Sequence, residues 1–286
     1  MPRIIPRLDA VVTSRQHGGK KRLPQELMSA YSLIMDFGYH WIWTHGHLLV
    51  GVLALAGLGL ARRRLHPALL AGLALIGLWG VTSFWIIQER FLFNRPVPLP
   101  TARFLPGGAG RVLDLGAGSG RATIGVLRDR PFSEVTAVDL FGNSFGIPDN
   151  SGERLLKNVA AAGFAGRVRV QVGDMRKLPF TDEKFDAALS VAAVDHLRHD
   201  DVMKTFAEVR RVLKPGGELL VVAINRDGWM RFVFPFFHGH YFGTRPMREI
   251  WRQRFVEAGY TIIEDGSVPG ALYMLARTPT ASPALP

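Results

Sequence analysis

VLDLGAGSG, residues 112–120, is an apolar strand that breaks into a glycine-rich turn and then opens a helix. This order is typical of an open parallel sheet, in which ligands bind at the carboxyl ends of the strands. Glycines allow the backbone to approach a ligand closely and to take positive φ angles. The stretch therefore predicts an α/β sheet with a ligand site at its first turn.

The spacing of the glycines narrows the class of ligand. The GxGxxG pattern of dinucleotide-binding turns would require a glycine where Arg121 stands, whereas the spacing here is GxGxG. Asp114 lies inside the motif, and a carboxylate suits a cationic group better than a phosphate. The motif therefore argues against NAD and favours a nucleoside without a pyrophosphate.

Two further carboxylates follow the next predicted strands. Asp139 ends the strand VTAVD, nineteen residues after Gly120, where a carboxylate can accept both ribose hydroxyls. Asp174 follows the third strand and can accept a hydrogen bond from an adenine amino group, while Met175 can pack on the ring. Each acid alone could be a helix N-cap. Three acids at successive strand ends favour a single nucleoside site.

Short β-branched runs alternate with longer amphipathic runs through the rest of the chain. The predicted strands are 111–115, 134–139, 167–172, 184–190, 217–224, 260–264 and 271–277, and the predicted helices are 120–129, 151–163, 200–213 and 245–258. Such alternation predicts a doubly wound, mostly parallel sheet with helices on both faces.

The chain resembles the class I methyltransferases, particularly the type 11 group that includes quinone and small-molecule methyltransferases. The motifs that carry the resemblance are VLDLGAGSG, VTAVD, GDMRKLPFTDEKFDAALS and EVRRVLKPGGELLVV, which together cover about residues 111–225. The resemblance implies a seven-stranded, Rossmann-like methyltransferase sheet whose strand 271–277 is reversed. It also implies S-adenosylmethionine as the cofactor.

The same resemblance implies a set of cofactor contacts. The residues at the matching positions are Asp114, Gly116, Ala117, Gly118, Gly120, Asp139, Leu140, Asp174, Met175 and Ser190. One departure is the loop from Leu140 to Asn150, which is longer than is usual in the family. It leaves open which residues flank the adenine.

Methyl transfer from a sulfonium is an in-line displacement that depends mainly on alignment of the reacting atoms. A base is needed only when the acceptor loses a proton. Asp195 and His196 follow the fourth strand and are the candidate catalytic residues. Asp195 is favoured, because the family resemblance implies a structural hydrogen-bonding position for His196 more often than a catalytic one. No metal site is expected, since His238 and His240 lack a third ligand.

Two apolar runs precede the predicted domain, at 41–61 and 67–87. Each matches the ~20 residues that cross a bilayer as a helix. Arg62, Arg63 and Arg64 separate the runs, and tryptophans stand near their ends, as is typical of membrane interfaces. The alternatives are a pair of buried core helices or a re-entrant hairpin with snorkelling arginines.

These patterns predict five regions. They are a basic tail at 1–40, a two-helix transmembrane hairpin at 41–87, a Pro/Gly linker at 88–110, a methyltransferase domain at 111–278 and a C-terminal tail at 279–286. We expect a multi-pass protein of the cytoplasmic or inner membrane with its catalytic domain in the cytosol. The arginines between the spans conflict with the positive-inside tendency, and the basic residues that flank the spans reduce that conflict.

The net charge of +11 predicts an anionic partner, either nucleic acid or an acidic lipid surface. The absence of cysteine excludes disulfides and thiol-based catalysis. The aromatic segment 229–242 predicts a lid over an apolar acceptor or an interfacial foot, with a core helix as the alternative.

The function predicted is methylation of a lipophilic, membrane-accessible small acceptor, such as a lipid amine, a quinone or a phenol. Two alternatives are a catalytically silent, membrane-tethered module that binds the cofactor and a nucleic-acid methyltransferase. The nucleic-acid reading is the weaker, because the basic residues are dispersed along the chain.

Overall fold

The computed structural model of the chain describes residues 35–142, 147–236 and 245–280. Seven strands form one sheet: β1 (Ala109–Leu115), β2 (Phe132–Asp139), β3 (Val168–Val172), β4 (Phe185–Val191), β5 (Leu213–Ile224), β6 (Thr261–Val268) and β7 (Ala271–Arg277). Their order across the sheet is β3-β2-β1-β4-β5-β7-β6. The first five strands pair in parallel, and β7 runs antiparallel to β5 and β6. The predicted doubly wound sheet with a reversed final strand is confirmed.

Helices α3 (Arg121–Asp129), α4 (Gly152–Ala161), α5 (His199–Val212), α6 (Gly228–Val233) and α7 (Met247–Glu257) accompany the sheet. The core on one face contains α5 and α7 side chains such as Phe206 and Phe255, and α3 and α4 contribute Ile124 and Leu155 to a separate cluster. The bounds of the four predicted helices agree to within two residues, and α6 overlaps the aromatic segment 229–242, for which a core helix was the alternative prediction.

Because β1, β2, β4 and β5 are parallel, their carboxyl ends meet at one edge of the sheet, which we call the carboxyl edge. The antiparallel strand β7 begins at this same edge, since Ala271 pairs with Ile224. The turn 116–120 and the loops that follow β2, β4 and β5 therefore lie together.

The two apolar runs form an antiparallel helical hairpin, made of α1 (Trp41–Ala61) and α2 (Pro67–Ile86). Arg62, Arg63 and Arg64 lie in the exposed turn at its tip. Both helices are long and apolar enough to cross a membrane by length and composition alone. Most of their large side chains are exposed, which does not fit the alternative of a pair of buried core helices.

Glycines bring the two hairpin helices into close contact. A Cβ built on Gly80 would lie 2.6 Å from the His47 carbonyl oxygen and 2.7 Å from the backbone nitrogen of Gly51. A Cβ on Gly77 would meet the Leu55 side chain at 2.6 Å. The close approach of the helices therefore requires residues without side chains at these positions.

The region 88–110 was predicted to be a linker, and the structure corrects this. A π-helical turn at Ile87–Phe91 continues α2, and the chain then packs along the domain until β1 begins at Ala109. Phe104 is fully buried, and a Cβ on Gly125 would lie 1.8 Å from the Val97 carbonyl oxygen. The Arg130 guanidinium donates to three carbonyl oxygens of this segment, which satisfies backbone groups that lack a regular partner.

The predicted basic tail lies mostly outside the described residues, as do residues 281–286 of the predicted C-terminal tail. Residues 35–39, however, pack on the domain. The Phe37 side chain is buried in the cluster that contains Ile124 and Leu155. Both chain segments that flank the hairpin are therefore docked against the domain.

Candidate functional site

The glycine turn after β1 is held against the neighbouring strand β2. The backbone nitrogens of Gly116 and Ala117 donate to the Val138 carbonyl oxygen at 2.8 and 3.1 Å. Gly116, Gly118 and Gly120 have φ angles of 69°, 53° and 92°, a region that favours glycine. The GxGxG spacing therefore follows from the backbone conformation of the turn.

The absence of a side chain at Gly116 lets neighbouring loops pack closely on the turn at the carboxyl edge. A Cβ at this position would lie 2.3 Å from the Ala193 Cβ and 3.2 Å from the Met175 Cε. The turn after β1, the loop after β3 and the loop after β4 thus converge on one point. Any side chain at position 116 would push these loops away from the turn.

Asp114 lies under the turn and is 1% exposed. Its Oδ2 accepts a 2.5 Å hydrogen bond from Thr123 Oγ1, while its Oδ1 has no hydrogen-bond partner among the residues the structure describes. Burial, together with the nearby Asp139 carboxylate, raises the pKa of Asp114 to about 7, although the Thr123 bond opposes the rise. The site therefore holds a buried carboxyl whose charge a nearby cation would favour.

Asp139 ends β2 and faces the same turn. Its Oδ2 accepts from the Gly118 nitrogen at 2.8 Å, and its Oδ1 accepts from the Phe141 nitrogen at 2.7 Å. The side-chain amide of Asn150 lies 3.4 Å from Oδ1. The carboxylate is thus fixed between the glycine turn and the loop after β2. Leu140, beside it, is 64% exposed.

Asp174 and Met175 follow β3, as predicted, and are half-buried. The Met175 methyl group faces the glycine turn, but the Asp174 carboxylate is already paired with the Arg176 guanidinium at 2.7 Å. This pairing holds the pKa of Asp174 below its ordinary value. The predicted contact of Asp174 with an adenine amino group would share the carboxylate with Arg176.

Ser190 and Asp195 lie in the protein interior. Ser190 is 1% exposed, and its hydroxyl donates to the Leu115 carbonyl oxygen and accepts from the Val194 nitrogen, both at 3.2 Å. Asp195 is 2% exposed, and its Oδ2 accepts from the Ile224 nitrogen at 2.8 Å. These two residues join the ends of β1, β4 and β5.

The neighbouring His196 is half-buried, in a 3-10 turn at Val194–His196. Asp195 and His196 therefore share one turn but differ in access to the surface. Their predicted catalytic roles remain predictions.

The sequence reasoning missed several residues that shape the site. Thr123, three residues after the turn, makes the hydrogen bond to Asp114. Asn158 of α4 binds the backbone of Asp36 through both its amide oxygen and its amide nitrogen, at 2.9 and 2.8 Å, and also donates to the Ser119 carbonyl oxygen. The Ser119 hydroxyl donates to the Phe37 carbonyl oxygen at 2.9 Å. Only the hydroxyl of Thr123, one turn into a helix, was a signal available in the sequence.

Arg121, the first residue of α3, connects the glycine turn to the foot of the hairpin, by which we mean the end where α1 begins and α2 ends. Its guanidinium donates to the carbonyl oxygens of Phe91, Leu92 and Arg95 and to the Tyr39 hydroxyl. Tyr39 precedes α1, and the three carbonyls follow α2. The carboxyl edge of the sheet therefore carries both ends of the hairpin.

The aromatic segment after β5 meets the hairpin at the same edge. The Trp79 indole donates to the Phe232 carbonyl oxygen at 2.8 Å, and His47 Nε2 lies 2.9 Å from the Val233 carbonyl oxygen. Phe234 packs edge-on against Trp43. Residues 237–244, which include His238 and His240, lie outside the described part of the chain.

Residues 113–221 match the family model described as a methyltransferase domain. Two similar proteins are ubiquinone/menaquinone biosynthesis C-methyltransferases. That of Geotalea daltonii is 29% identical over 43% of this chain and 49% of its own length. That of Desulfotalea psychrophila is 33% identical over 45% of this chain and 47% of its own length. This chain thus spans about half the length of these relatives.

A solved structure, that of a SAM-dependent methyltransferase from Methanosarcina mazei, is 17% identical with a TM-score of 0.49. It covers 64% of this chain and 100% of its own length.

Proposed function

We propose that this chain, whose residues 113–221 form an S-adenosylmethionine-dependent methyltransferase domain, methylates a lipophilic small acceptor that it meets at a membrane surface. The observation that carries the proposal is the position of the hairpin, whose two ends are fixed to the carboxyl edge of the sheet through Arg121. An acceptor dissolved in the bilayer would then reach the edge that binds the cofactor without crossing water.

The residues at the carboxyl edge fit this cofactor. Asp114 has a buried oxygen without a partner among the described residues, and a cationic aminoacyl end would stabilise its charge. The Asp139 carboxylate is suited to the ribose hydroxyls, and the methyl group of Met175 to one face of the adenine ring. Gly116 keeps the Met175 methyl group and the loop after β4 close to the glycine turn, where the cofactor would bind.

The cofactor supplies an electrophilic methyl group on a sulfonium, and the protein supplies alignment and exclusion of water. With the cofactor bound, a nucleophilic atom of the acceptor would take the methyl group, and the electron pair of the broken carbon–sulfur bond would remain on sulfur. The glycine turn and the loop 192–197 hold the two reactants in line. An acceptor that loses a proton would transfer it to His196 or Asp195.

We further propose that the acceptor is a quinone or phenol carrying an apolar tail, with a lipid amine as the next candidate. The names of the two relatives support a quinone acceptor for this domain. The matched region covers about half of each relative. Exposed aromatic side chains beside the carboxyl edge, such as Trp229 and Phe232, support an apolar acceptor.

The membrane part of the proposal rests on α1 and α2. We propose that they form a transmembrane hairpin of the cytoplasmic membrane, with the domain in the cytosol. Their exposed apolar surface and their length support this. The antiparallel arrangement places the domain at one end and the three arginines of the tip at the other.

The test is to incubate the full-length protein, in vesicles made from extracted lipids of a quinone-producing bacterium, with methyl-labelled S-adenosylmethionine. We expect label in the organic extract, in a compound that co-migrates with a quinone or phenol standard. A Gly116→Ala variant serves as the inactive control. Label that enters only protein, or only added nucleic acid, would overturn the proposed acceptor class.

A further inference from the structure

Helix α6 lies beside the hairpin above its foot. Its last residues contact Trp79 and His47 through backbone carbonyl oxygens, at 2.8 and 2.9 Å. Trp79 is seven residues before the end of α2, and His47 is six residues after the start of α1. At 1.5 Å per residue, α6 therefore stands about 9–10 Å along the hairpin from its foot.

The part of the hairpin beyond α6 is too short to cross a bilayer. About 14 residues of α1 remain between His47 and the tip, and they span roughly 21 Å. The hydrocarbon core of a bilayer is about 30 Å thick. The missing length of about 9 Å equals the part of the hairpin that runs alongside α6 and the segment that follows it.

The outward side of α6 has the composition of a membrane interface. Trp229 and Phe232 are three residues apart on one helical face and are 40% and 44% exposed, and the following Phe236 is 88% exposed. Trp85, one residue before the end of α2, is 51% exposed. Tryptophan and phenylalanine exposed together in this way are typical of the headgroup region of a bilayer.

Arg90 lies among these rings, and Arg231 follows Met230 on the exposed part of α6. The Arg90 guanidinium stands 5.7 Å from the ring centres of both Trp85 and Trp229, so it joins the hairpin to α6. Arg90 and Arg231 are exposed. Their long side chains can reach lipid phosphates while the neighbouring rings remain at the acyl boundary.

We infer that α6 is itself a membrane-contacting element, which enters the leaflet on the side of the domain to the depth of the headgroup–acyl boundary and binds acidic phospholipid through Arg90 and Arg231. The inference rests on the membrane location proposed above. The part of the domain around α6 then lies within the leaflet, so that the loop after β5 faces lipid. The depth required by the hairpin lies within the about 5–10 Å by which interfacial helices enter a bilayer.

The test uses single cysteines, because the chain has none of its own. A polarity-sensitive fluorophore is attached at Phe232→Cys, whose backbone contact with Trp79 does not depend on its side chain. Leu53→Cys, in the middle of α1 and 62% exposed, is the reference for depth. Phe132→Cys, 77% exposed at the amino end of β2, is the matched aqueous control.

Each labelled full-length protein is placed in phosphatidylcholine vesicles containing one quarter phosphatidylglycerol, with a nitroxide at acyl carbon 5 or carbon 12. We expect the label at position 232 to lose about twofold more fluorescence to the carbon-5 nitroxide than to the carbon-12 nitroxide. The label at position 53 should show the opposite order, and the label at position 132 no loss.

An unquenched label at position 232 beside a quenched label at position 53 would overturn the inference and leave the hairpin in the membrane. Labels unquenched at both positions would overturn the proposed membrane location as well. Replacing Arg90 and Arg231 together by Gln should also reduce the difference in quenching between vesicles with and without phosphatidylglycerol. No change in that difference would contradict the role given to the two arginines.

Discussion

At the scale of single residues, the two acids at the ends of β1 and β2 differ in environment. Asp114 is buried, and its pKa is raised to about 7, chiefly because burial disfavours its charged form. Asp139 accepts hydrogen bonds from two backbone nitrogens at the edge of the turn. A cationic ligand would therefore change the ionisation of Asp114 in particular.

The first prediction is that affinity for S-adenosylmethionine rises with pH because of Asp114. Below about pH 7 the carboxyl is largely protonated and neutral, and above it the ionised form attracts the cationic end of the cofactor. We expect the Kd to fall by up to about tenfold between pH 5.5 and 7.5. In the Asp114→Asn variant the Kd should not change with pH over this range. Calorimetric titration over this range provides the measurement, and equal slopes for both proteins would refute the assignment.

The second prediction concerns Gly116. In Gly116→Ala the new methyl group would lie 2.3 Å from the Ala193 Cβ, in addition to the strain of a φ angle of +69°. Gly163→Ala is the matched control, since its φ is +81° but no atom lies within 4 Å of the added Cβ. Strain alone costs about 1–2 kcal/mol. We expect both variants to lose stability in thermal unfolding, but only Gly116→Ala to lose cofactor binding by more than about tenfold. Equal binding losses would show that the close packing of Gly116 against Ala193 is unimportant for the cofactor.

At the scale of elements, glycine contacts determine how α1 and α2 pack. In a bilayer, association of helices depends on close van der Waals packing, because lipid tails are as apolar as leucine. Gly51 and Gly80 allow the backbones to touch, while Gly72 of the same α2 helix faces open space. The hairpin is therefore sensitive to side-chain volume on one face only.

The third prediction is that Gly80→Val separates the hairpin helices and that Gly72→Val does not. The added Cβ at position 80 would lie 2.6 Å from the His47 carbonyl oxygen. Overpacking of this kind costs about 1–3 kcal/mol. Nitroxide labels at Leu60→Cys and Leu69→Cys, both exposed, report the distance between the helices by pulsed electron paramagnetic resonance. A longer or broader distance is expected for Gly80→Val alone. Identical distributions would contradict the packing described.

At the scale of the whole molecule, Arg121 holds the domain on the hairpin. Its guanidinium donates to three backbone carbonyl oxygens and one hydroxyl, and it also lies 5.2 Å from the centre of the Tyr39 ring. A lysine has a single ammonium group and cannot reach four such acceptors in one plane. The orientation of the glycine turn relative to the hairpin therefore depends in part on this side chain, beside the contacts of Trp79 and His47 with α6.

The fourth prediction is that Arg121→Gln loosens the domain without abolishing cofactor binding. Labels at Arg63→Cys in the hairpin tip and Lys157→Cys on α4 measure the distance between the two parts, and both positions are exposed. We expect a distance distribution at least about twice as broad in Arg121→Gln. The Arg121→Lys variant should also show the broad distribution and not the narrow one of the unmodified protein. Arg128→Gln is the control, because Arg128 is on the same helix but pairs with Asp129. A narrow distribution in Arg121→Gln would exclude this role.

Patterns among residues close together in the sequence determined most of the helices and strands of this protein. The strand and turn at 112–120, the order of the helices and strands and the two apolar helices were predictable, because periodicity and glycine placement act within one element. The convergence of the two acids at the ends of β1 and β2 was also predictable, because parallel strands bring their carboxyl ends to one edge of the sheet. The hairpin helices begin and end within one residue of their predicted bounds.

The tertiary structure alone decided which groups those elements meet. Prolines and glycines in 88–110 indicated only the absence of regular structure, whereas Arg121 and Arg130 bind the carbonyl groups of this segment and fix it to the domain. The partner of Asp195, the nitrogen of Ile224, is 29 residues away, and the partner of Trp79, the carbonyl oxygen of Phe232, is 153 residues away. Contacts over such separations depend on where whole elements pack, and hydrophobic periodicity carries no information about them. The sequence by itself thus determined a glycine turn and a hairpin of two apolar helices, and only the packed chain joined the two at one edge of the sheet.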